Sequence, residues 1–125
     1  MATWLEVAQD NRSDAQELLD SGCFRSSISR SYFAAYAAVT HLLIGKVTFA
    51  SGRRNPAHDD MLDYIMSNLS GVPVSRRRNA RRAYRVLWKA RVDADYRPGM
   101  TCDRATARAA KANADRVFRE VGIGP

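Results

Sequence analysis

Apolar side chains recur at helical spacing through most of the chain. Thr3 and Glu6 are spaced as a capping box, and apolar positions then keep one face over residues 4–20. A second apolar stretch runs from Phe24 to Leu43, and most of its other positions are alanine or aromatic. A helix that is apolar nearly all round must be covered on more than one side. Either it lies in the middle of a bundle, or its second face meets another subunit.

The pattern breaks after the second helix and then resumes twice. Asn55 and Pro56 predict the N-cap and first turn of a third helix, which residues 71–73 end. Ser75 is predicted to cap a fourth helix, which stops before the turn at residues 96–99. Both helices carry an apolar face and a polar face, as expected for elements packed around one core.

A fifth, alanine-rich helix follows, with Thr101 or Asp103 at its start and Gly122 at its end. The sequence contains no alternating strand pattern and no repeat. We therefore expect an all-α protein, an antiparallel up-and-down bundle of five helices, with residues 1–125 forming a single domain.

Charge adds a candidate function to this bundle. Lys and Arg number 20 against 13 Asp and Glu, a net charge of +7, which favours an acidic partner such as nucleic acid over mere solubility. Six arginines lie between residues 76 and 85 on the fourth helix. Arg77, Arg81, Arg85 and Lys89 line one strip of this helix, and Arg78 and Arg82 lie beside them; we call these six residues together the arginine stripe.

Like charges at helical spacing repel one another and slightly weaken their own helix, so we expect the arginine stripe to have a function that accounts for its presence. One interpretation is a surface for RNA, DNA or an acidic partner protein. The alternative is a solvated face, or one whose charges are paired within the chain.

Several other classes of function are not indicated. Cys23 and Cys102 lack metal-ligand spacing, and we expect no metal and no cofactor. No apolar run approaches the length of a membrane span, and no signal peptide precedes the first helix, so we expect a cytoplasmic protein with no membrane partner. Standard catalytic motifs are absent.

Three segments together resemble the HEPN superfamily, helical domains named for nucleotide binding in higher eukaryotes and prokaryotes. They are the leucine pair and glycine of residues 18–22 followed by the aromatic and alanine run of residues 32–36, the histidine His58 opening the third helix, and the Arg, Ala-Asp-Tyr pattern of residues 91–96. The resemblance implies a helical bundle, usually a homodimer, often encoded beside a nucleotidyltransferase in toxin-antitoxin or defence modules.

Many HEPN proteins are metal-independent ribonucleases with an Arg four to six residues before a His. Arg53 and His58 have this spacing, but about one such pair is expected by chance in a chain so rich in arginine. The fourth helix, where the motif would belong, has no histidine after Arg91. The remaining catalytic candidates are Arg91, Asp95, Tyr96 and His58.

The residues around the Arg, Ala-Asp-Tyr pattern allow two interpretations. Arg91 and Asp95 are spaced to pair across one helical turn, so with Tyr96 they can form a latch that ends the fourth helix. Alternatively they line a phosphate or nucleotide pocket facing the second helix. That predicted pocket comprises Arg30, Tyr32, Tyr36, Arg91, Asp95 and Tyr96.

The leading hypothesis is thus an accessory module that binds nucleic acid, a nucleotide or an acidic partner protein such as a nucleotidyltransferase. It is predicted to form a homodimer through the second apolar face of the second helix. A ribonuclease toxin and a purely structural assembly subunit are the alternatives.

Overall fold

The computed structural model describes residues 1–124, and all their regular structure is helical. The five α-helices are α1 (Trp4–Asp20), α2 (Phe24–Leu43), α3 (Met61–Asn68), α4 (Val74–Tyr96) and α5 (Arg104–Glu120). Two short 3₁₀ turns, Ala50–Gly52 and His58–Asp60, lie in the connection between α2 and α3. The predicted all-α bundle of five helices is confirmed.

Two helices begin where their side-chain caps predict. The Thr3 hydroxyl accepts a hydrogen bond from the Glu6 backbone N–H (3.1 Å), and Asp103 accepts one from the Thr106 N–H (2.9 Å). Each cap satisfies a backbone donor that has no partner inside the helix. Of the two candidate starts for α5, Asp103 is therefore the residue that the structure selects.

The predicted starts of α3 and α4 are wrong. Asn55 and Pro56 do not open a helix, because the Pro56 carbonyl accepts a hydrogen bond from the Tyr36 hydroxyl (2.5 Å), and Pro56 is fully buried. This contact holds the segment against α2, and α3 starts only at Met61. Helix α4 starts at Val74, so Ser75 lies inside its first turn and makes no capping bond.

Helix α2 occupies the centre of the bundle and packs against each of the other four α-helices. One side of α2 carries large core residues that contact α3, α4 and α5. On the other side, Ala34, Ala37 and Ala38 pack against Ala8 of α1 and Phe118 of α5, each at most 1% exposed. Alanine allows neighbouring helices to approach closely, so this side is covered within the chain.

The prediction that the second apolar face of α2 forms a dimer interface is therefore wrong, since that face is not available to a second subunit. The other interpretation of an all-round apolar helix, a central position, is the one observed. Within residues 1–124, no helix is both long and apolar enough to cross a membrane.

Candidate functional site

A chain of three buried or half-buried polar side chains connects α4, α2 and the segment before α3. The Tyr84 and Tyr32 hydroxyls lie 3.0 Å apart, and the Tyr32 hydroxyl is also hydrogen-bonded to Nδ1 of His58. Both tyrosines are fully buried, whereas His58 is half-buried. The His58 ring lies over Tyr36 with centroids 4.6 Å apart, and the edge of Phe33 faces it.

Each buried hydroxyl proton needs an acceptor, and this requirement fixes which side chain donates in each of the two hydrogen bonds. Tyr84 has only the Tyr32 hydroxyl as a side-chain partner among the described residues, so its own proton must go there. Tyr32 then donates to His58, and Nδ1 accepts. The opposite order would leave the Tyr84 proton without an acceptor in the core, which costs free energy. Neutral His58 therefore carries its proton on Nε2, which has no partner in the described part of the chain.

The surroundings also keep His58 neutral. Burial is the largest cause that lowers the pKa of His58 below its usual value, and the guanidinium groups of Arg91 and Arg53 lower that pKa further. Burial likewise raises the pKa of Tyr32 to about 12, so its hydroxyl keeps its proton. His58 thus presents an uncharged N–H donor.

His58 forms part of the wall of an open cleft of about 360 Å³ between α1, α2 and the segment before α3, here called the first cleft. Two arginines, Arg30 and Arg53, line it, and no carboxylate does. Arg30 donates to the side-chain oxygen of Asn11 (3.2 Å), and Arg53 donates to that of Asn55 (3.4 Å). These amides orient the guanidinium groups without neutralising their charge.

Aromatic side chains complete the first cleft. Trp4, Phe33 and Tyr36 all contribute to its walls, and the Tyr36 hydroxyl is already used by the Pro56 carbonyl. The cleft therefore combines two positive charges, neutral polar groups and aromatic surfaces. Phosphate groups and flat heterocyclic rings have the complementary chemistry.

Arg91 lies behind this cleft and does not line it. Its guanidinium group packs over the rings of Phe33 (5.3 Å) and Tyr96 (5.1 Å), and its Nε donates to Asp95 (3.0 Å). A further donor reaches the Tyr96 hydroxyl (3.3 Å). Only 16% of the Arg91 side chain is exposed. The contacts are those of the predicted helix-ending latch, with a cation held against aromatic faces.

The six residues of the predicted pocket are consequently not brought into one site. Arg30 and Tyr36 line the first cleft, and Asp95 lines a neighbouring one. Tyr32 is fully buried and lines neither cleft, although it contacts His58, Phe33 and Tyr36 in the wall of the first. Tyr96 is two-thirds exposed at the end of α4. Of the catalytic candidates, His58 is the one in the first cleft.

Sequence reasoning missed several residues of the first cleft. Arg53 carried a signal, its spacing to His58, but chance explains that spacing equally well. Asn55 indicated only the start of the third helix. Asn11 and Trp4 carried none, because nothing in the sequence indicates that the outer face of α1 meets the segment before α3.

The arginine stripe divides into two groups. Arg77 donates to the Met66 carbonyl at the end of α3 (2.6 Å), and Lys89 pairs with Asp93 (3.1 Å). Arg76, next to the stripe, donates to the Arg119 carbonyl. The remaining stripe arginines have no carboxylate partner within residues 1–124. They are Arg78, Arg81, Arg82 and Arg85.

Metal chemistry has no obvious location in the described residues, where no three His, Cys, Asp or Glu side chains are grouped to hold an ion. Cys23 is exposed and Cys102 is half-buried, and both are free thiols.

Comparison with known proteins agrees with this architecture. The family model described as HEPN domain matches residues 1–123, nearly the whole chain. No curated protein matches the sequence. The length of the family match is decisive, and the chain belongs to the HEPN domain family.

Proposed function

We propose that this HEPN protein is a binding module for a nucleotide or single-stranded nucleic acid, with a ligand phosphate held between Arg30 and Arg53 in the first cleft. The observation that carries the proposal is the pairing of both arginines with amides in a cleft that no carboxylate lines. Membership of the HEPN family supports a nucleotide- or nucleic-acid-related module.

The other groups in the first cleft have matching roles. The Nε2–H of His58 donates to a phosphate or base oxygen, and a base stacks against the partly exposed faces of Trp4 and Phe33. Since each Arg contact to phosphate is charge-assisted but open to water, we assign it about 1.5 kcal/mol, or about tenfold in affinity.

The test measures binding of fluorescein-labelled hexa-adenylate RNA by anisotropy, and of AMP by calorimetry. Arg30→Gln and Arg53→Gln are each expected to weaken both by about tenfold. The matched control is the double variant Arg82→Gln/Arg85→Gln, which removes two exposed arginines of the stripe and is expected to leave AMP binding unchanged. Cleft variants that bind AMP as tightly as the wild type would refute the proposal.

The same variants separate the first cleft from the arginine stripe. For a single strand, removing one phosphate-binding cation reduces the slope of log affinity against log salt by about 0.7. If only the stripe variant reduces this slope for RNA, the stripe rather than the cleft binds phosphates, as the charge pattern of α4 allows.

The biological setting proposed for this module is a toxin-antitoxin or defence system with a nucleotidyltransferase partner, in which the protein acts as a homodimer. Genes adjacent to its own test the first part, and light scattering of the purified protein tests the second. A lone gene and a monomeric protein would argue against this setting while leaving nucleotide binding untouched.

A second candidate function, metal-independent ribonuclease, is favoured by one observation: Arg53 and His58 line the same cleft. To act as a general base in this cleft, His58 would need an unprotonated Nε2. The hydrogen bonds from Tyr84 to Tyr32 and from Tyr32 to Nδ1 of His58 instead place the imidazole proton on Nε2. We therefore expect no cleavage of labelled RNA in the presence of a chelator. Cleavage that a His58→Ala variant abolishes would establish the ribonuclease instead.

A further inference from the structure

A second cleft of about 550 Å³ adjoins the first. The two clefts share two wall residues, Arg30 and Phe33, both from α2. Ser26, Ser29 and Asp95 also line the second cleft. Each cleft by itself has a volume within the range of about 300–1,000 Å³ that is usual for small-molecule sites. Arg30 thus lies at the junction of the two clefts, and it also lines a third cavity together with Asp14 and Glu17 of α1.

The second cleft differs from the first in its charge. Its other arginine, Arg25, directs both terminal nitrogens at backbone carbonyls of residues 93–100, so the four N–H groups of those nitrogens are not free for a ligand phosphate. The Asp95 carboxylate is paired with Arg91 and also accepts from the Ser29 hydroxyl (3.2 Å).

Apart from Arg30, the second cleft therefore offers hydroxyl groups and a paired carboxylate. Sugar hydroxyls and base edges fit these groups, because they donate and accept hydrogen bonds without carrying charge. A phosphate does not fit, since the carboxylate would repel it.

From this arrangement we infer that the two clefts form one groove for a ligand of two nucleosides joined by a phosphate. The bridging phosphate contacts Arg30, one nucleoside lies in the first cleft beside His58 and Arg53, and the other lies in the second cleft against Ser26, Ser29 and Asp95. This inference rests on the proposed function and extends it from a single nucleotide to a dinucleotide unit.

The experiment compares AMP with the 5′-phosphorylated dinucleotide pApA on the wild-type protein by calorimetry. The dinucleotide is expected to bind at least about tenfold more tightly, because it adds the contacts of the second cleft. The variant Ser26→Trp fills that cleft and is expected to remove this advantage. The matched control Ser75→Trp adds the same side chain to an exposed position of α4 and is expected to retain it.

A measurement on the wild type makes the test independent of how the variants fold. In the complex, NMR contacts are expected between the second ribose and the methyl group of Ala94, which lines the second cleft. Equal affinity for AMP and pApA, or a second ribose without such contacts, would overturn the inference while nucleotide binding stands. Failure of the wild type to bind AMP at all would instead refute the proposed function.

A dinucleotide unit can be free or part of an RNA strand, and hexa-adenylate distinguishes the two. If pApA and the hexamer bind equally, the groove holds a free dinucleotide. Tighter binding of the hexamer, abolished by substituting the arginines of the stripe, indicates a segment of a strand.

Discussion

Arg25 is expected to be the arginine whose removal destabilises the bundle most. It lies in the first turn of α2, where a cation is unfavourable to that helix's own dipole, yet its side chain reaches the carboxyl end of α4. Nη1 contacts the carbonyls of Asp93, Ala94 and Arg97 at 3.0–3.3 Å. Nη2 donates to the carbonyls that follow, those of Pro98 (3.0 Å) and Met100 (2.5 Å).

The magnitude follows from the number of protons that the guanidinium group can donate. Two terminal nitrogens carry four N–H groups, so the interaction amounts to at most about four full hydrogen bonds, each worth about 0.5–1.5 kcal/mol net. Because several of these carbonyls are near the surface and can bond to water in a variant, the low end applies. Arg25→Met is therefore expected to lower the free energy of unfolding by about 2 kcal/mol.

Urea denaturation followed by circular dichroism measures this change. The matched control is Arg116→Met, an arginine of α5 that makes no side-chain hydrogen bond or ion pair within residues 1–124, and its change is expected to stay below about 0.5 kcal/mol. In thermal melts, about 2 kcal/mol corresponds to roughly 6–10 °C for a chain of this size. Equal stability of the two variants would refute the conclusion that the Arg25 hydrogen bonds to the carboxyl end of α4 stabilise the bundle.

Three further predictions concern His58 and Arg77. Because the pKa of His58 is lowered in the fold, the unfolded chain is protonated first as pH falls below about 6.5, so stability is full above that pH and declines below it. His58→Gln should flatten the stability profile between about pH 7 and 5, and an unchanged profile contradicts the shift. Above about pH 7, long-range ¹H–¹⁵N spectra should show His58 protonated at Nε2, and a Tyr32→Phe variant should shift the Nδ1 resonance. A protonated Nδ1 in the wild type would mean that the hydrogen bonds run from His58 to Tyr84 instead. Arg77→Met should lower the free energy of unfolding, measured by urea denaturation, by about 1 kcal/mol because the Met66 carbonyl loses its donor, whereas Arg78→Met should not. Equal destabilisation by both variants would argue that the Arg77 hydrogen bond does not stabilise the fold.

The pattern of the sequence predicted the helices well where local signals define them. The Thr3 cap is such a signal, since it depends on residues within one turn. The continuous apolar run of α2 likewise indicated a central helix. The same run did not distinguish burial by α1 and α5 from burial by a second subunit, because an apolar surface carries no record of which partner covers it.

Prediction failed where a contact distant in sequence competes with a local preference. Asn55 and Pro56 are typical of a helix start, yet the hydrogen bond from Tyr36 keeps Pro56 outside α3. Likewise, helical spacing places the arginine stripe on one surface, but Arg77 is used within the bundle. In each case a hydrogen bond to a carbonyl distant in sequence decides the arrangement, and no local pattern indicates that bond.

For the candidate site, the sequence by itself determined the ingredients: a positively charged helical protein, an isolated His58, and an aromatic run on α2 with Arg30 just before it. Only the tertiary structure decided which of these meet. The first cleft joins Asn11 and Arg30 to Arg53 and Asn55, residues separated by up to 44 positions. Such neighbours depend on how whole helices pack, and packing is set by the summed fit of the core rather than by any local pattern.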